Sequence, residues 1–269
     1  MRESVNEIIN VTRIEDIKWS TGGLDLKEIQ TRLFHIGSTV IDIFERHSIS
    51  YMVAFGTLLG AVRHQDMIPW DDDFDIFLFS EVYENAIQYL RDELPADMFV
   101  EDKESEPRYF HAWAHVKDLK SVCINSMYPA DDAYTHKGLH VDLYRFEKIM
   151  ASDVSTYLRN ENSAYINRRK KFGLIGEEEY KRRMAISFSD YMLSCRDEDR
   201  ELYIFDGPYK QKTMEIEDAF PLKKYILRGK EFYGPNNADA VLKSIYGEYM
   251  QLPKLQDRKP KMEQVTFLE

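Results

Sequence analysis

Apolar residues recur every three or four positions near the start of the chain, which is the period of one helix face. The repeat is formed by Leu26, Ile29, Leu33, Ile36, Val40 and Ile43. It predicts a long amphipathic helix that packs one stripe on a core. A second helix is predicted over "SEVYENAIQYLRDEL", and Ser80 is expected to cap its first turn.

Short apolar runs beside these helices predict the strands of a sheet. The run "ISYMVAF" ends at Gly56 and is followed by one or two helical turns in "TLLGAVRH" and a loop, "QDMIPW". Further strands are predicted at "DFDIFLF", "MFVED", "YFHAWAHVKD", "SVCIN" and "LHVDLYRF".

The pattern changes at about Ala151, where charged stretches with helical spacing begin. They are "VSTYLRNENSAYINRRKKFG" and "GEEEYKRRMAISFSDYMLSC", followed by a tail rich in Pro, Tyr and Gly. We predict an α+β core with a helical C-terminal extension. The expected division is residues 1–150 and 151–269, with a loosely defined boundary and a single domain as the alternative.

The charge balance bears on possible partners. The 269-residue chain has 36 Lys and Arg against 47 Asp and Glu, a formal net charge of −11. Because tracking of a phosphate backbone needs a basic surface, we expect no nucleic-acid partner. The first twenty residues contain acids and no apolar run, so no signal peptide is expected. Cys123 and Cys195 lack metal-site spacing and indicate a reducing compartment, and we expect a soluble cytoplasmic protein.

Four aspartates occupy five positions at the start of the strand in "DDDFDIFLF". Because side chains alternate along a strand, Asp71, Asp73 and Asp75 share one face if the strand begins that early, and Asp72 points to the other. Carboxylates at i and i+2 lie roughly 6–7 Å apart, close enough to share a divalent cation such as Mg²⁺. Without a cation the pair repels, and one pKa would rise.

A solvated turn or a helix cap is the alternative interpretation of such an acidic run. Three features favour the cation site. The acids adjoin an apolar strand, Gly56 and Thr57 stand at a helix start where backbone N–H groups bind phosphate, and Asp142 lies inside the apolar strand "LHVDLYRF". A strand-end acid that faces water is the alternative for Asp142.

These features together resemble a known family. A Gly-Thr pair after a strand, Asp-x-Asp on the next strand and a third Asp on a later one resemble the nucleotidyltransferase fold of the polymerase-β type. The stretch "YMVAFGTLLGAVRHQDMIPWDDDFDI" is similar to the signature of the LicD family, which includes fukutin and fukutin-related protein. With weaker similarities at "HVKDLKS", "HVDLYRF" and "LKSIYGEYMQLP", the resemblance spans residues 26–256. It implies a mixed sheet flanked by helices.

The resemblance also implies a reaction. Family members move a substituted phosphate, typically phosphocholine, from a CDP-linked alcohol to a hydroxyl of a surface glycan or its lipid-linked precursor, and CMP leaves. Lipopolysaccharide and teichoic acid are such glycans, and a lipid-linked acceptor would bring the protein to the inner membrane face. Asp73, Asp75 and Asp142 would hold Mg²⁺, with Mn²⁺ as a second candidate. Asp142 would bridge the cation or draw the proton from the acceptor, and Asp71 would contact the substrate.

The anionic donor also needs N–H groups and cations. We expect the backbone of Gly56, the Thr57 hydroxyl, Arg63 as a bidentate clamp and Lys117 to bind its phosphates. A helix-end cation that offsets the dipole is an equal alternative for Arg63, and an exposed strand position is the alternative for Lys117. His64 is interpreted as a polar helix-end residue.

A choline headgroup is a quaternary ammonium and binds aromatic faces or a carboxylate. Core packing is the stronger explanation for each aromatic candidate, and the sequence identifies no cage. The candidates are Trp70, Tyr109, Trp113 and Tyr134.

Three further patterns have weaker functional interpretations. In "HAWAH", His111 and His115 would share a strand face with Trp113, but no third ligand has metal-site spacing, so zinc is not expected. The basic run "NRRKKFG" could bind an anionic acceptor, although a solvated helix end is the stronger alternative. Family members often have Arg followed by His near the end, whereas no His follows Arg258 here.

Two other functions remain open at this point. A nucleotidylyltransferase would use the same three acids to attach NMP from an NTP, and it would release pyrophosphate rather than CMP. A non-catalytic domain that binds a glycan or nucleotide is the other alternative, and metal-dependent turnover would exclude it.

Overall fold

The computed structural model describes residues 23–125, 134–185, 199–205 and 213–268. The expected helix in "GEEEYKRRMAISFSDYMLSC" is described as far as residue 185. Cys195, the first twenty residues and all of "FDGPYK" except its first residue lie outside the described residues.

Helices and strands alternate in the first half of the chain, as the apolar pattern predicts. The elements are α1 (Leu26–Arg46), β1 (Tyr51–Val53), α2 (Phe55–Arg63), β2 (Asp75–Phe79), α3 (Ser80–Glu93), β3 (Met98–Glu101), β4 (Ala114–Asp118), β5 (Ser121–Asn125) and β6 (His140–Met150).

The second half begins with helices and then returns to strands. The elements are α4 (Val154–Lys171), α5 (Glu177–Met184), β7 (Glu201–Phe205), β8 (Thr213–Met214), α6 (Ile216–Ala219), β9 (Lys223–Leu227), β10 (Lys230–Gly234), α7 (Ala238–Tyr246) and β11 (Met262–Phe267). Within the described residues, α4 and α5 are the long charged helices of this half. Strands also belong to it, because β6 runs longer than expected and pairs with β7, while β11 pairs with β5. The domain boundary near residue 150 stays a prediction.

Strand β6 is the centre of a seven-stranded mixed sheet. Its first half lies parallel to β2 on one side and antiparallel to β4 on the other, and its second half pairs antiparallel with β7. The main order is β1-β2-β6-β4-β3. The α+β class with a mixed sheet flanked by helices is thus confirmed. The register of the parallel pair puts Asp75 directly beside Asp142.

Helix α1 packs its predicted apolar stripe on this sheet and also contacts the segment that carries the clustered aspartates. Asp25 caps the helix, because its carboxylate accepts the N–H of Glu28 at 3.1 Å. A Cβ added at Gly37 would lie only 2.7 Å from the ring of Phe74, which is fully buried. Phe74 stands between Asp73 and Asp75 in the chain. Its packing against Gly37 therefore sets how far these two aspartates lie from the protein surface.

Ser80 does not cap α3, contrary to the prediction. The capping position is Phe79, which makes no side-chain cap hydrogen bond. Strand β2 runs directly into α3, so Ser80 is already the first helical residue. Its hydroxyl is buried without a hydrogen-bond partner among the described residues.

No helix in the described ranges combines the length and the hydrophobicity needed to cross a membrane.

The contact between Gly37 and Phe74 can be tested by replacing the glycine. Gly37→Ala should lower the free energy of unfolding by about 1–3 kcal/mol, because the methyl group overpacks a ring that cannot move away. At an unobstructed helix position the same change would instead gain up to about 1 kcal/mol. Urea unfolding of the purified variant measures the difference.

The matched control places Gly37→Ala in a Phe74→Leu background. If the ring causes the loss, the smaller side chain should remove most of it. An equal loss in both backgrounds would contradict this account of the contact.

Candidate active site

Three aspartates converge in the loop that precedes β2, here called the acidic loop (residues 71–73). One carboxylate oxygen from each of Asp71, Asp72 and Asp73 lies within 4.8 Å of the others. The strand begins at Asp75, later than the predicted run "DFDIFLF", so the condition for a shared strand face is not met and strand alternation does not place the acids of the loop. Asp72, which was expected to point away, belongs to the convergent group and is 1% exposed.

Gln30 of α1 holds the backbone of the acidic loop. Its side-chain amide donates hydrogen bonds to the carbonyls of Ile68 at 2.9 Å and Asp71 at 2.8 Å. Arg228, between β9 and β10, donates to Gln30 Oε1 at 3.1 Å and to Asp66 at 2.6 Å. Elements distant in sequence therefore position the loop.

The start of α2 packs against these carboxylates. A Cβ added at Gly56 would lie 2.5 Å from Asp71 Oδ2 and 3.4 Å from Asp73 Oδ1, so a side chain at this position would collide with Asp71. The Thr57 hydroxyl accepts the backbone N–H of Asp75 at 2.8 Å, which fixes the start of β2. The structure thus brings Gly56 and Thr57 to the acids, and their roles in phosphate binding stay predictions.

Phe55 begins α2 in an unusual backbone conformation. Its φ angle is 40°, which costs a non-glycine residue of order 1–3 kcal/mol unless its surroundings hold it there. Its ring makes edge contacts with Phe77 and Tyr144 at centroid distances of 5.0 and 5.1 Å. This packing fixes the sharp turn between β1 and α2 that brings Gly56 to the acidic loop.

Asp142 lies on the strand next to Asp75 and has a different environment. Its Oδ1 accepts the indole N–H of Trp113 at 2.7 Å and lies 3.1 Å from His115 Nε2. Its Oδ2 lies 3.9 Å from His140 Nε2. Asp142 is buried, so the alternative of a strand-end acid facing water is wrong.

Behind Asp142 is a buried network of charged groups. His115 Nδ1 lies 3.2 Å from Glu101 Oε2, and Lys117 Nζ lies 3.5 Å from the same oxygen and 3.3 Å from His140 Nδ1. Lys117 is 2% exposed, so the alternative of an exposed strand position is wrong. Its contact with a donor phosphate stays a prediction.

Sequence reasoning missed His140 as a member of this group. His115, His140 and Asp142 have ligand atoms within 4.8 Å of one another, whereas the sequence analysis paired His115 with His111 and found no third ligand. Strand β4 begins only at Ala114, so His111 does not extend the strand as expected. The available signal was the spacing of His140 and Asp142, which share one face of β6.

Burial and mutual repulsion disfavour charge on the acidic loop and at the start of β2. Burial, as the larger cause, and the nearby Asp73 carboxylate, as the next, raise the pKa values of Asp71 and Asp75 well above the usual value of an aspartate. The same two causes raise the pKa of Asp72 to about 6. The acidic loop therefore favours any group that brings positive charge.

Asp142 shows the opposite behaviour. Burial alone would raise its pKa, but the hydrogen bond and the charge of His115 outweigh burial and hold the pKa of Asp142 well below its usual value. For His115, burial opposes protonation, yet hydrogen bonds to Asp142 and Glu101 raise its pKa to about 9. Asp142 is thus an ionised carboxylate whose Oδ1 already has two partners.

Lys261 supplies positive charge at the acidic loop, and the sequence analysis did not single it out. Its ammonium group forms an ion pair with Asp73 Oδ2. The adjacent Met262, the first residue of β11, donates its backbone N–H to Asp72 Oδ2 at 2.6 Å. The charge of Asp73, together with those of Asp71 and Asp75, raises the pKa of Lys261 well above its usual value.

Arg63 is buried and engaged with protein groups. Its guanidinium donates to the Tyr249 carbonyl at 2.5 Å and to His64 Nε2 at 2.9 Å. Burial, with the nearby guanidinium charge, lowers the pKa of His64 to about 4, so its ring is neutral and can accept. Arg63 ends α2, as the helix-end alternative requires, and its role as a phosphate clamp stays a prediction.

Trp70 lies with this second group rather than with the other aromatic candidates. Its ring is 6.1 Å from that of His64, and the Arg258 guanidinium lies 5.8 Å from the Trp70 centroid. Trp70 is largely buried. Its contact with a donor headgroup stays a prediction.

The other three aromatic candidates lie together near Asp142. Tyr109 and Tyr134 stack at 5.2 Å and are buried, as the core-packing alternative expected. The Tyr109 hydroxyl donates to the carbonyl of Trp113 at 2.6 Å. Trp113 is only partly buried and is the member of this group that also contacts a candidate catalytic residue.

The basic run at the end of α4 is partly used in packing. Arg168 Nε donates to the Phe110 carbonyl at 2.9 Å, Arg169 donates to the Tyr165 hydroxyl at 3.0 Å, and Lys170 pairs with Glu177 at 3.0 Å. Binding of an anionic acceptor at this run stays a prediction.

The residues of the acidic loop fit a hard divalent cation. Mg²⁺ prefers a few carboxylate oxygens together with substrate phosphates and water. Asp71, Asp72 and Asp73 offer convergent oxygens, the backbone of Gly56 packs against Asp71 and Asp73, and Asp75 adjoins them in the chain. Of the predicted ligand set, Asp73 lies within this group, whereas Asp75 and Asp142 lie beside each other on the adjacent strands.

The mixed sheet, the helix start against an acidic loop and the paired acids on β2 and β6 define a domain of the nucleotidyltransferase type. Residues 48–196, more than half of the chain, match the family model described as the LicD/FKTN/FKRP nucleotidyltransferase domain. The chain belongs to this family and is a phosphotransferase.

Known relatives of the chain differ in how much of it they match. It is 24% identical to the lipopolysaccharide cholinephosphotransferase LicD of Haemophilus influenzae, over 91% of this chain and 98% of that protein. An uncharacterised protein of Rickettsia prowazekii is 26% identical over 49% of this chain and 53% of its own length. Human ribitol 5-phosphate transferase FKRP is 41% identical over 49 residues, which are 18% of this chain and 10% of FKRP.

The raised pKa of Asp72 predicts how the stability of the fold depends on pH. A carboxyl whose pKa is higher in the folded than in the unfolded protein destabilises the fold as pH rises through the interval between the two values, here from about 4 to about 6. At pH 7 in EDTA, Asp72→Asn should therefore raise the free energy of unfolding, by at most about 3 kcal/mol, because the amide oxygen can still accept from Met262.

Thermal unfolding at pH 4 and pH 7 measures this effect. The gain should be larger at pH 7 than at pH 4, and Asp257→Asn, which removes an exposed carboxylate, should show little change. A lower melting temperature of Asp72→Asn at pH 7 would contradict the electrostatic account of the acidic loop.

Proposed function

We propose that this chain is a Mg²⁺-dependent phosphotransferase that moves phosphocholine from a CDP-linked donor to a hydroxyl of a cell-surface glycan or its lipid-linked precursor. CMP would be the leaving group, and Mn²⁺ could replace Mg²⁺. The observation that carries this proposal is the partly buried acidic loop held against the start of α2, in a chain similar over nearly its whole length to a cholinephosphotransferase.

The charge distribution supports phosphate chemistry at this position. Among the residues that the structure describes, four buried or half-buried carboxylates face one nearby ammonium group, that of Lys261, so a bound divalent cation would relieve repulsion. When bound, the cation would neutralise charge on the donor's phosphate oxygens. Asp73 and Asp75 are the proposed ligands, with Asp71 and Asp72 adding oxygens from the loop.

Asp142 is the proposed third carboxylate. Its Oδ1 is held by Trp113 and His115, which leaves Oδ2, with one longer contact to His140, to face the reaction. Its low pKa suits a charged ligand or an orienting acceptor for the glycan hydroxyl better than a strong base. Phosphoryl transfer through a loose transition state depends mainly on positioning and charge, so a weak base suffices.

In the proposed reaction the acceptor hydroxyl oxygen attacks the phosphorus that bears the alcohol. The new P–O bond replaces the bond to the bridging diphosphate oxygen, and that oxygen leaves with CMP. The hydroxyl proton passes by way of Asp142 to solvent. No covalent intermediate with the protein is needed.

The transferred alcohol is the least constrained part of the proposal. The similar proteins include one named for choline phosphate and one named for ribitol phosphate. We place phosphocholine first because the similarity to the choline enzyme covers nearly the whole chain. Calorimetry with CDP-choline, CDP-ribitol and CDP-glycerol, each with Mg²⁺, would rank the donors, and binding of none would contradict the proposed donor class.

The cation assignment can be tested by amide substitutions. Asp73→Asn and Asp75→Asn should each lower kcat for CMP release from the preferred CDP-alcohol by about 100-fold or more, because the cation and the transferring phosphate lose charge compensation. The melting temperature of Asp75→Asn in EDTA should not fall, since this change removes a repelled carboxylate and leaves the Lys261–Asp73 ion pair intact.

Asp257→Asn is the matched control and should retain turnover and its dependence on Mg²⁺. Near-normal rates in either active-site variant would contradict the assignment. Release of pyrophosphate from an NTP, instead of CMP from a CDP-alcohol, would support a nucleotidylyltransferase in its place.

A further inference from the structure

Two consecutive residues late in the chain, Lys261 and Met262, contact the acidic loop. Lys261 pairs with Asp73, and the N–H of Met262 binds Asp72 at 2.6 Å. We call residues 261–262 the C-terminal strap. Beyond Met262, β11 is anchored by antiparallel pairing with β5, so the strap is fixed on its far side.

The strap's ammonium group uses the carboxylates that we assign to the divalent cation. Lys261 is paired with Asp73, and the charges of Asp71 and Asp75 also raise the pKa of Lys261. Positive charges at the same carboxylates repel each other, so a divalent cation and the ammonium group cannot both be fully bound there. The Met262–Asp72 hydrogen bond is donated by the backbone, so it does not require the ammonium group of Lys261.

We propose that Lys261 competes with the divalent cation for Asp73 and, once displaced, binds the diphosphate of the nucleotide donor. This inference rests on the cation site of the proposed function. The displaced ammonium group stays within a side-chain length of the site, because the next residue, Met262, is held by Asp72 and by the pairing of β11 with β5. There it faces the phosphates that the cation draws in, and a flexible Lys stem suits such a change of partner.

The consequence is coupling between the cation and the donor. A cation alone must displace Lys261 without compensation, so it binds weakly. A cation that arrives with a diphosphate gives the ammonium group a new anionic partner, so the two ligands bind better together than separately. By linkage, each ligand raises the affinity of the other by the same factor.

The test measures Mn²⁺ binding to full-length protein by the loss of the free Mn²⁺ paramagnetic resonance signal. Lys261→Gln should bind Mn²⁺ alone at least about tenfold more tightly than the wild type, the scale of one close charge interaction. Lys261→Arg keeps the charge and should stay near the wild type. Lys259→Gln removes an exposed charge two residues earlier and should change nothing.

A second measurement follows the donor. Saturating CDP-choline should tighten Mn²⁺ binding of the wild type by about tenfold or more, and this gain should shrink in Lys261→Gln. With Mg²⁺ present, the same variant should show a raised KM for the CDP-alcohol. Wild-type Mn²⁺ affinity in Lys261→Gln, or weaker binding, would overturn the inference.

Thermal unfolding distinguishes competition between Lys261 and the divalent cation from a purely structural role of Lys261. In EDTA, Lys261→Gln should melt at a lower temperature than the wild type, and saturating Mn²⁺ should restore most of the difference. Equal losses in both buffers would mean that Lys261 only fastens the chain end, and the inference would fail.

Failure of the inference and failure of the proposed function give different results. If CMP release depends on Mg²⁺ and is lost in Asp75→Asn while Lys261→Gln binds Mn²⁺ like the wild type, only the inference fails. If no CDP-alcohol is turned over while Mn²⁺ affinity responds to Lys261, the proposed reaction fails and the competition stands.

Discussion

Repulsion among buried carboxylates is the constraint on which the rest of this structure depends. Asp71, Asp72, Asp73 and Asp75 are held together at the point where β2 enters the sheet. Burial and the nearby Asp73 carboxylate raise the pKa values of Asp71, Asp72 and Asp75. An unsupported loop would swing such groups into water, where each gains solvation. The surrounding elements must therefore hold the loop in place, and they do so mainly through its backbone and through Phe74.

That restraint comes from several directions. Phe74 is seated on Gly37 of α1, so the residue between two repelling acids is buried deeply in the core. Gln30 binds the loop carbonyls, and Arg228 holds Gln30. Apolar packing and hydrogen bonds to the loop backbone thus oppose the repulsion, together with the contacts of Lys261 and Met262 to the carboxylates.

The two acidic parts of the site are neutralised to different degrees. Asp142 and Glu101 share their surroundings with His115 and Lys117, and the pKa of Asp142 falls. Among the described residues, the acidic loop has one paired ammonium group, that of Lys261, and the pKa values of Asp71 and Asp72 rise. A divalent cation gains most where neutralisation is least complete, which favours the acidic loop over the histidine side of the site as its main binding position.

How far the site could be predicted from sequence depends on the range of each interaction. The stripe of α1 and the apolar runs of β2 and β6 are local patterns, and they predicted these elements correctly. The register that puts Asp75 beside Asp142 is set by pairing of distant strands, which periodicity does not report. Asp73 and Lys261 are 188 positions apart, and Lys261 stands in an unremarkable charged stretch, so no local signal joins them.

Lys261 also lies outside residues 48–196, the part that matches the family's domain model. That domain contains the acids of the site, whereas the ammonium group of Lys261, which pairs with the acidic loop, comes from a later segment. The charge balance at the acidic loop is therefore a property of the domain and this later segment together, and a comparison confined to the domain would miss Lys261.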